Sequence, residues 1–263
     1  MTGKAYLVGA GPGRADLISV RGLSLLRAAD VVIYDRLIAR ELLQELRPQA
    51  ERIFVGKQGH RPYSMPQDEI NALLVSRVQA GSQVVRLKGG DGFVFGRGGE
   101  ECLALAAAGL PFEIVPGVSA AIAAPAFAGI PVTHRDLASA FVVVTGNEDP
   151  SKEETSVDWS QLAQLPTLVV MMGARRVSVI CDTLGKHGRS PVSPAAAIGS
   201  ATTRQQRVVC STLAELPQAM ARARIHAPAV LVFGDVVTLR DRLDWFTPEE
   251  GGTGFVQMER PAP

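Results

Sequence analysis

Short apolar runs alternate with stretches of helical spacing over most of this chain. Residues 5–8 read as a first strand, and the glycine-rich run 9–13 as the turn that follows it. Leu23, Leu26 and Arg27 recur at helical spacing and predict a helix over 20–28. The apolar run 31–34 predicts a second strand, with Asp35 at its end. The pattern continues as helix 39–46 stopped by Pro48, strand 52–55, helix 67–80, strand 84–87 and helix 100–108 closed by Gly109. Strand 112–115 and an alanine-rich helix reaching residue 127 complete the series. Pro66 marks the start of helix 67–80, and Asp68 and Glu69 in its first turn suit the positive end of the helix dipole. Apolar strands separated by helices imply a parallel sheet buried on both faces.

The pattern changes after Gly129-Ile130-Pro131. Residues 139–145 are strand-like and 146–158 form a polar, charged loop. Strand 167–171, helix 174–187, strands 195–198 and 207–210, helix 214–224 and strand 229–233 follow. Adjacent strands with no helix between them imply a mixed sheet. The fold class is therefore α/β, with an N-terminal domain over 1–130 and a second over 131–240. Residues 241–263 turn rich in Gly and Pro and are expected to be a disordered tail.

Composition narrows the function classes. With 46% hydrophobic and 20% charged residues the chain is globular, and a net charge of +1 offers no general attraction to nucleic acid or to a membrane surface. Any anion site must be a local cluster. Cys102, Cys181 and Cys210 are far apart with no CxxC pair, and each stands among apolar residues, which predicts buried thiols in a reducing compartment. No apolar run reaches bilayer length, and the start leads directly into a strand without a signal-peptide pattern, so a cytoplasmic location is expected. His60, His134, His187 and His226 are scattered without ligand spacing, and no metal site is expected.

The densest chemistry lies in residues 84–101, where a buried strand empties into Gly89-Gly90-Asp91-Gly92 and Gly98 leads into a helix. Glycine has no Cβ and tolerates positive φ, so the backbone there can approach a ligand closely. A mobile surface loop is the bland alternative. The turn Gly9-Ala10-Gly11-Pro12-Gly13 invites a dinucleotide-binding reading and hence an NAD-dependent dehydrogenase, with Asp30 or Asp35 on the ribose. Arg14 stands where that fingerprint wants glycine or alanine, and Pro12 where its helix should be starting. Gly56-Lys57 is followed by Gln58 and is no Walker phosphate loop.

Asp35 and Lys57 both lie just past the ends of neighbouring strands, at the mouth of one crevice, where a carboxylate can take a proton and a lysine can give one or hold an anion. Singly, each reads as well as a cap or a solvated surface residue. Arg61, Arg97, Arg135 and Lys57 could bind a polyanion, since arginine pairs carboxylates through two parallel hydrogen bonds. Met172, next to Gly173, is core by default, but at a strand edge it could line an apolar pocket.

The order and spacing of several stretches resemble the S-adenosylmethionine-dependent tetrapyrrole methylase family, over residues 4–237. They are Val8-Gly9-Ala10-Gly11-Pro12-Gly13, Val32-Ile33-Tyr34-Asp35-Arg36-Leu37, Val55-Gly56-Lys57, residues 67–71 and the run 84–101. Val115-Pro116-Gly117-Val118-Ser119-Ala120 and Gly129-Ile130-Pro131-Val132-Thr133-His134-Arg135 complete them. Gly92 departs from the family, which commonly has proline there.

The resemblance implies two α/β domains with the cofactor in the cleft between them, in a homodimer. It implies cofactor contacts at Pro12, Gly89, Gly90, Asp91, Val94, Ser119, Ala120 and Met172, with Ala197 and Gly199 less securely. It suggests Asp35 as proton acceptor and Lys57 as proton donor, with Arg97, Glu100, Arg61 and His134 near the substrate. Asp35, Lys57, Arg97 and Glu100 all stay open as the proton-transfer group. Within the family the run 85–101 points to the branch that methylates uroporphyrinogen III at carbons 2 and 7, yielding precorrin-2 and S-adenosylhomocysteine. A sister enzyme acting on a later cobalamin precursor is the nearest alternative. Many relatives carry a fused dehydrogenase-ferrochelatase module, and this chain is expected to be the methyltransferase alone.

Overall fold

The computed structural model describes residues 3–56, 65–147 and 157–255. The first unit is built on strands β1 (Lys4–Gly9), β2 (Val31–Tyr34), β3 (Glu51–Phe54), β4 (Gln83–Lys88) and β5 (Phe112–Val115). They lie in the order β3-β2-β4-β1-β5, every pair parallel. Helix α1 (Val20–Ala28) covers one face, where Leu25 and Leu26 meet Val8, Val32, Val85 and Leu87. Helices α2 (Gln67–Gln79) and α3 (Gly98–Ala107) cover the other, where Ile70, Leu74, Val78 and Leu105 meet Ala5, Leu7, Ile33 and Val84. Ile70, Leu74 and Val78 follow the four-residue helical stagger that makes one buried stripe.

From β1 the chain moves across to β2, and from β4 it crosses the opposite way to β5. Neighbouring strands β1 and β4 therefore send their connections to opposite faces, and a crevice forms at their C-terminal ends. The turns after Gly9 and Lys88 meet there.

The second unit has strands β6 (Phe141–Thr145), β7 (Thr167–Met171), β8 (Pro194–Gly199), β9 (Arg207–Thr212) and β10 (Ala229–Phe233), ordered β6-β7-β10-β8-β9. Only β6 and β7 pair in parallel; the other pairs are antiparallel, so the sheet is mixed. Helices α5 (Trp159–Leu162), α6 (Val177–Lys186) and α7 (Leu216–Arg222) bury Trp159, Ile180, Leu184, Leu216 and Met220 on one face. Helix α4 (Ala120–Phe127) lays Ala121 and Ala124 on the other face, against Val169, Val230 and Val232.

That packing moves the division between the units. It falls between Ser119 and Ala120, not at 130/131, because α4 shares its core with the second sheet. Residues 241–255 are also structured. Helix α8 (Arg240–Leu243) is followed by Trp245 and Phe246, which stack with Phe127, and Trp245 Nε1 donates to the Ala126 carbonyl at 2.9 Å. Residues 252–255 then belong to the first unit, where Phe255 bridges Ala39 and the Thr253 amide donates to Glu41 Oε1 at 2.8 Å. Apolar and aromatic anchors outweigh the Gly and Pro content there.

Two smaller expectations change. Residues 40–45 form 3-10 turns instead of an α-helix, closed by i to i+3 bonding such as Leu42 N–H to the Ala39 carbonyl. Cys102 and Cys181 are buried but Cys210 is exposed. On edge strand β9, Val209 packs toward the α7 core, and the period-two alternation turns Cys210 to the opposite face.

Candidate active site

Asp35 directly follows β2, and its backbone amide donates to the Leu87 carbonyl of β4 at 3.4 Å. Strand register sets Ile33 beside Arg86, and Asp35 lies two residues further on the same face. On β4 the period of two turns Val85 and Leu87 toward α1, and Val84, Arg86 and Lys88 toward α2 and α3. Two cations thus point into a helix-covered face. They survive there because α3 supplies Glu101 from its first turn.

Glu101 Oε1 accepts from Arg86 Nε at 2.9 Å and from Lys88 Nζ at 2.8 Å. Arg86 Nη2 donates to Asp35 Oδ1 at 2.9 Å, and its Nη1 donates to the carbonyls of Ile33 and Leu87. Arg86, Lys88 and Glu101 are 2%, 3% and 0% exposed, so these charges are held away from water, while the Asp35 side chain is 31% exposed. The order is Lys88, Glu101, Arg86, Asp35, with alternating sign. Gln67 Nε2 adds a longer contact to Glu101 Oε1 at 3.4 Å. Glu101 Oε2 is buried without a hydrogen-bond partner among the described residues. Burial opposes the Arg86 charge, but Asp35 and Glu101 outweigh it and raise its pKa. For Lys88 the balance falls the other way. Burial and then the Arg86 cation push it below the ordinary lysine range, against the pull of Glu101 and Asp35.

The turns after β1, β4 and β5 pack backbone on backbone. Gly11 and Gly90 exchange amide bonds at 2.7 and 3.2 Å, and a Cβ at Gly9 would stand 2.5 Å from Gly117 Cα. A Cβ at Gly117 would overlap the Gly90 carbonyl oxygen, and one at Gly89 would overlap that of Leu37. These glycines therefore serve close approach of neighbouring protein backbone. Gly92 differs, since a Cβ there would meet only Lys88 Cδ at 3.3 Å. Asp91 ties the turns together: Oδ1 accepts from the Phe93 and Val94 amides, and Oδ2 from the Gly117 amide at 2.9 Å.

Phe95 and Arg97 have left-handed backbones at φ 54° and 59°, a conformation that side chains adopt at a cost and that gathers at functional loops. Phe93, Val94 and Phe95 are exposed apolar groups on this turn. Arg97 closes on Glu100 with two hydrogen bonds at 2.8 and 2.6 Å, and that pairing raises the Arg97 pKa and lowers that of Glu100. Pro12 and Ser119 are buried beside these turns.

In the second unit Met172 follows β7, left-handed at φ 59° and 49% exposed. Ala120 opens α4. Ala197 is buried inside β8 between β10 and β9, while Gly199 ends the strand. His134 sits in a tight turn with Ala138, and its Nδ1 accepts from the Asp136 amide at 3.3 Å. Lys57, Arg61 and His60 lie outside the described residues.

Arg86, Lys88 and Glu101 were not among the expected site residues. The apolar run 84–87 hides Arg86, yet the signal was present: charged residues two apart in a strand covered on both faces require buried partners.

The exposed apolar side chains Phe93, Val94 and Phe95, set on the glycine-rich turn after β4, offer an apolar surface at the strand ends of the first unit. The sequence profile of the tetrapyrrole (corrin/porphyrin) methylases matches residues 4–217. A siroheme synthase of Pseudomonas fluorescens (strain Pf0-1) is 50% identical over 252 residues, which is 95% of this chain and 53% of that protein. A siroheme synthase of Chromobacterium violaceum is 47% identical over 258 residues, 98% of this chain and 54% of its own length. The chain spans about half the length of the curated relatives it matches. Among solved structures, a uroporphyrin-III C-methyltransferase of Thermus thermophilus is 39% identical with a TM-score of 0.77, over 90% of this chain and 100% of its own. That enzyme is also known in complex with S-adenosylhomocysteine. A cobalt-precorrin-4 methyltransferase of cobalamin biosynthesis is 29% identical with a TM-score of 0.79, over 89% of this chain and 95% of its own.

Proposed function

The chain belongs to the tetrapyrrole methylases, which use S-adenosylmethionine, and on that premise we propose that its substrate is uroporphyrinogen III. It methylates ring carbons 2 and 7 in turn, giving precorrin-2 by way of precorrin-1 and releasing S-adenosylhomocysteine each time. The observation that carries this choice is the 39% identity to a uroporphyrin-III C-methyltransferase, against 29% to the cobalt-precorrin-4 enzyme. The names of the curated relatives agree with a product on the route to sirohaem.

When bound, S-adenosylmethionine supplies an electrophilic methyl group on a sulfonium sulfur. In this reading Pro12, Gly89, Gly90, Asp91, Val94, Ser119, Ala120 and Met172 would hold it, with Ala197 and Gly199 less securely. The chain's main task is to keep the nucleophilic pyrrole carbon in line with that methyl, and alignment of this kind is worth roughly 7–11 kcal/mol at best. The same reading assigns Arg97, Glu100, Arg61 and His134 to the tetrapyrrole substrate, whose many carboxylates suit arginine.

Each methylation leaves a proton to be lost before the conjugated system is restored. Asp35 takes it on Oδ2, because Oδ1 is committed to Arg86. Lys57 is the proton donor of the same reading, and the proton that Asp35 takes is finally released to solvent. The same reading takes the protein as a homodimer.

Anaerobic incubation with uroporphyrinogen III and S-adenosylmethionine tests the assignment. Precorrin-2, or sirohydrochlorin after oxidation, is expected by absorbance. No reaction with uroporphyrinogen III but methylation of a later corrin precursor would move the chain to the sister activity.

A further inference from the structure

Glu101 and Arg86 lie too deep to touch a substrate, yet Arg86 reaches the one carboxylate that the proposed chemistry needs at the surface. We infer that Arg86, locked by Glu101, is a positioning residue that fixes the Asp35 carboxylate for proton removal. The inference rests on the reading of Asp35 as proton acceptor.

Three features support it. A partly exposed aspartate at a strand end has several rotamers available, and a single anchored oxygen selects one of them. The guanidinium that anchors it has no freedom of its own. It is 2% exposed, Nε is held by Glu101, Nη1 by two main-chain carbonyls and Nη2 by Asp35. Glu101 is in turn fixed by Lys88, so the first turn of α3 sets the place of a side chain at the end of the neighbouring strand β2. The planar fork holds four acceptors at fixed angles from three nitrogens, which the single rotatable ammonium of a lysine does not reproduce.

Stability alone does not account for the cluster. Burying charges costs enough that well-packed apolar replacements are often neutral or stabilising. Four alternating charges leading to a strand-end carboxylate instead supply direction.

The experiment compares Glu101→Gln, Arg86→Lys and Asp35→Asn with the double variant Asp35→Asn/Glu101→Gln. Circular dichroism and S-adenosylhomocysteine calorimetry establish folding and cofactor binding, and single-turnover methyl transfer to uroporphyrinogen III gives the rate. Glu101→Gln is expected to keep cofactor affinity within about twofold and to lower the rate about tenfold or more, the scale of a catalytic group misplaced by a fraction of an ångström. In the Asp35→Asn background the same change should have almost no further effect, because residues acting as one unit are not additive. Arg86→Lys gives the same reading if Glu101→Gln does not fold.

Multiplying effects in the double variant would overturn the inference, as would wild-type rates for Glu101→Gln and Arg86→Lys beside a slow Asp35→Asn. Failure of both variants to fold would mark the cluster as structural and overturn it too. A wild-type rate for Asp35→Asn removes the proton-acceptor reading itself, and the positioning role with it.

Discussion

Asp91 Oδ2 accepts the backbone amide of Gly117 at 2.9 Å, while its Oδ1 accepts the amides of Phe93 and Val94. One carboxylate therefore clamps the turn after β4 to the turn after β5. Asparagine keeps one acceptor oxygen but sets an NH2 group against an N–H on the other side. Hydrogen bonds to a charged group are each worth about 1.5–3 kcal/mol. Asp91→Asn should therefore weaken S-adenosylhomocysteine about tenfold or more by calorimetry, and Asp91→Ala at least as much. An unchanged affinity in both would free the clamp from any part in cofactor binding.

Glycines in the same region separate into two kinds. A Cβ at Gly117 would overlap the Gly90 carbonyl and stand 2.6 Å from Gly9 Cα, both rigid backbone. Gly117→Ala should cost about 1–3 kcal/mol, as overpacking does. At Gly185 in α6 nothing lies within 4 Å. Gly185→Ala should stabilise by up to about 0.5–1 kcal/mol through backbone entropy and helix propensity. Denaturant unfolding of the two variants is expected to move in opposite directions.

The last described residues stitch onto the first unit. Phe255 bridges Ala39, the Gly254 carbonyl accepts from the Arg40 amide, and Thr253 is held by Glu41. Ending the chain after Gly251 should lower the thermal midpoint and raise hydrogen exchange at residues 39–41. Unchanged exchange there would show that the contacts contribute nothing.

Glu113 on β5 accepts from Lys4 on β1 and from Arg21 on α1. Those hydrogen bonds, Lys4 first, hold its carboxyl below the usual value of 4.5. A depressed folded pKa stabilises at pH above the unfolded value, and the gain is lost as pH falls through the folded one. The stability advantage of wild type over Glu113→Gln should be full near neutrality and close progressively below about pH 4.5. A gap that persists unchanged into acid would refute the linkage.

Some elements could be read from residue pattern to the residue. Strands 167–171 and 229–233 are short apolar runs with two valines each and bounded by turn signals, and they are observed with those bounds. The glycine turn after residue 88 was legible as a place of close approach, but which partner approaches was not, since packing of Gly9, Gly90 and Gly117 is a long-range fact. Arg86 was lost inside an apolar run because periodicity counts hydrophobic positions and does not ask where an interior charge finds its partner. Glu101 looked like an ordinary first-turn acid until the register of β4 brought it to Arg86 and Lys88. Residues 241–255 read as a tail from their Gly and Pro content, while Trp245, Phe246 and Phe255 carried the anchoring.

The most direct test follows labelled methyl groups. With methyl-labelled S-adenosylmethionine and uroporphyrinogen III under anaerobic conditions, two labels are expected in each macrocycle, at carbons 2 and 7, located by NMR. Two equivalents of S-adenosylhomocysteine should form per product. Label at other ring positions, or none on uroporphyrinogen III while a later precursor is methylated, would contradict the assignment.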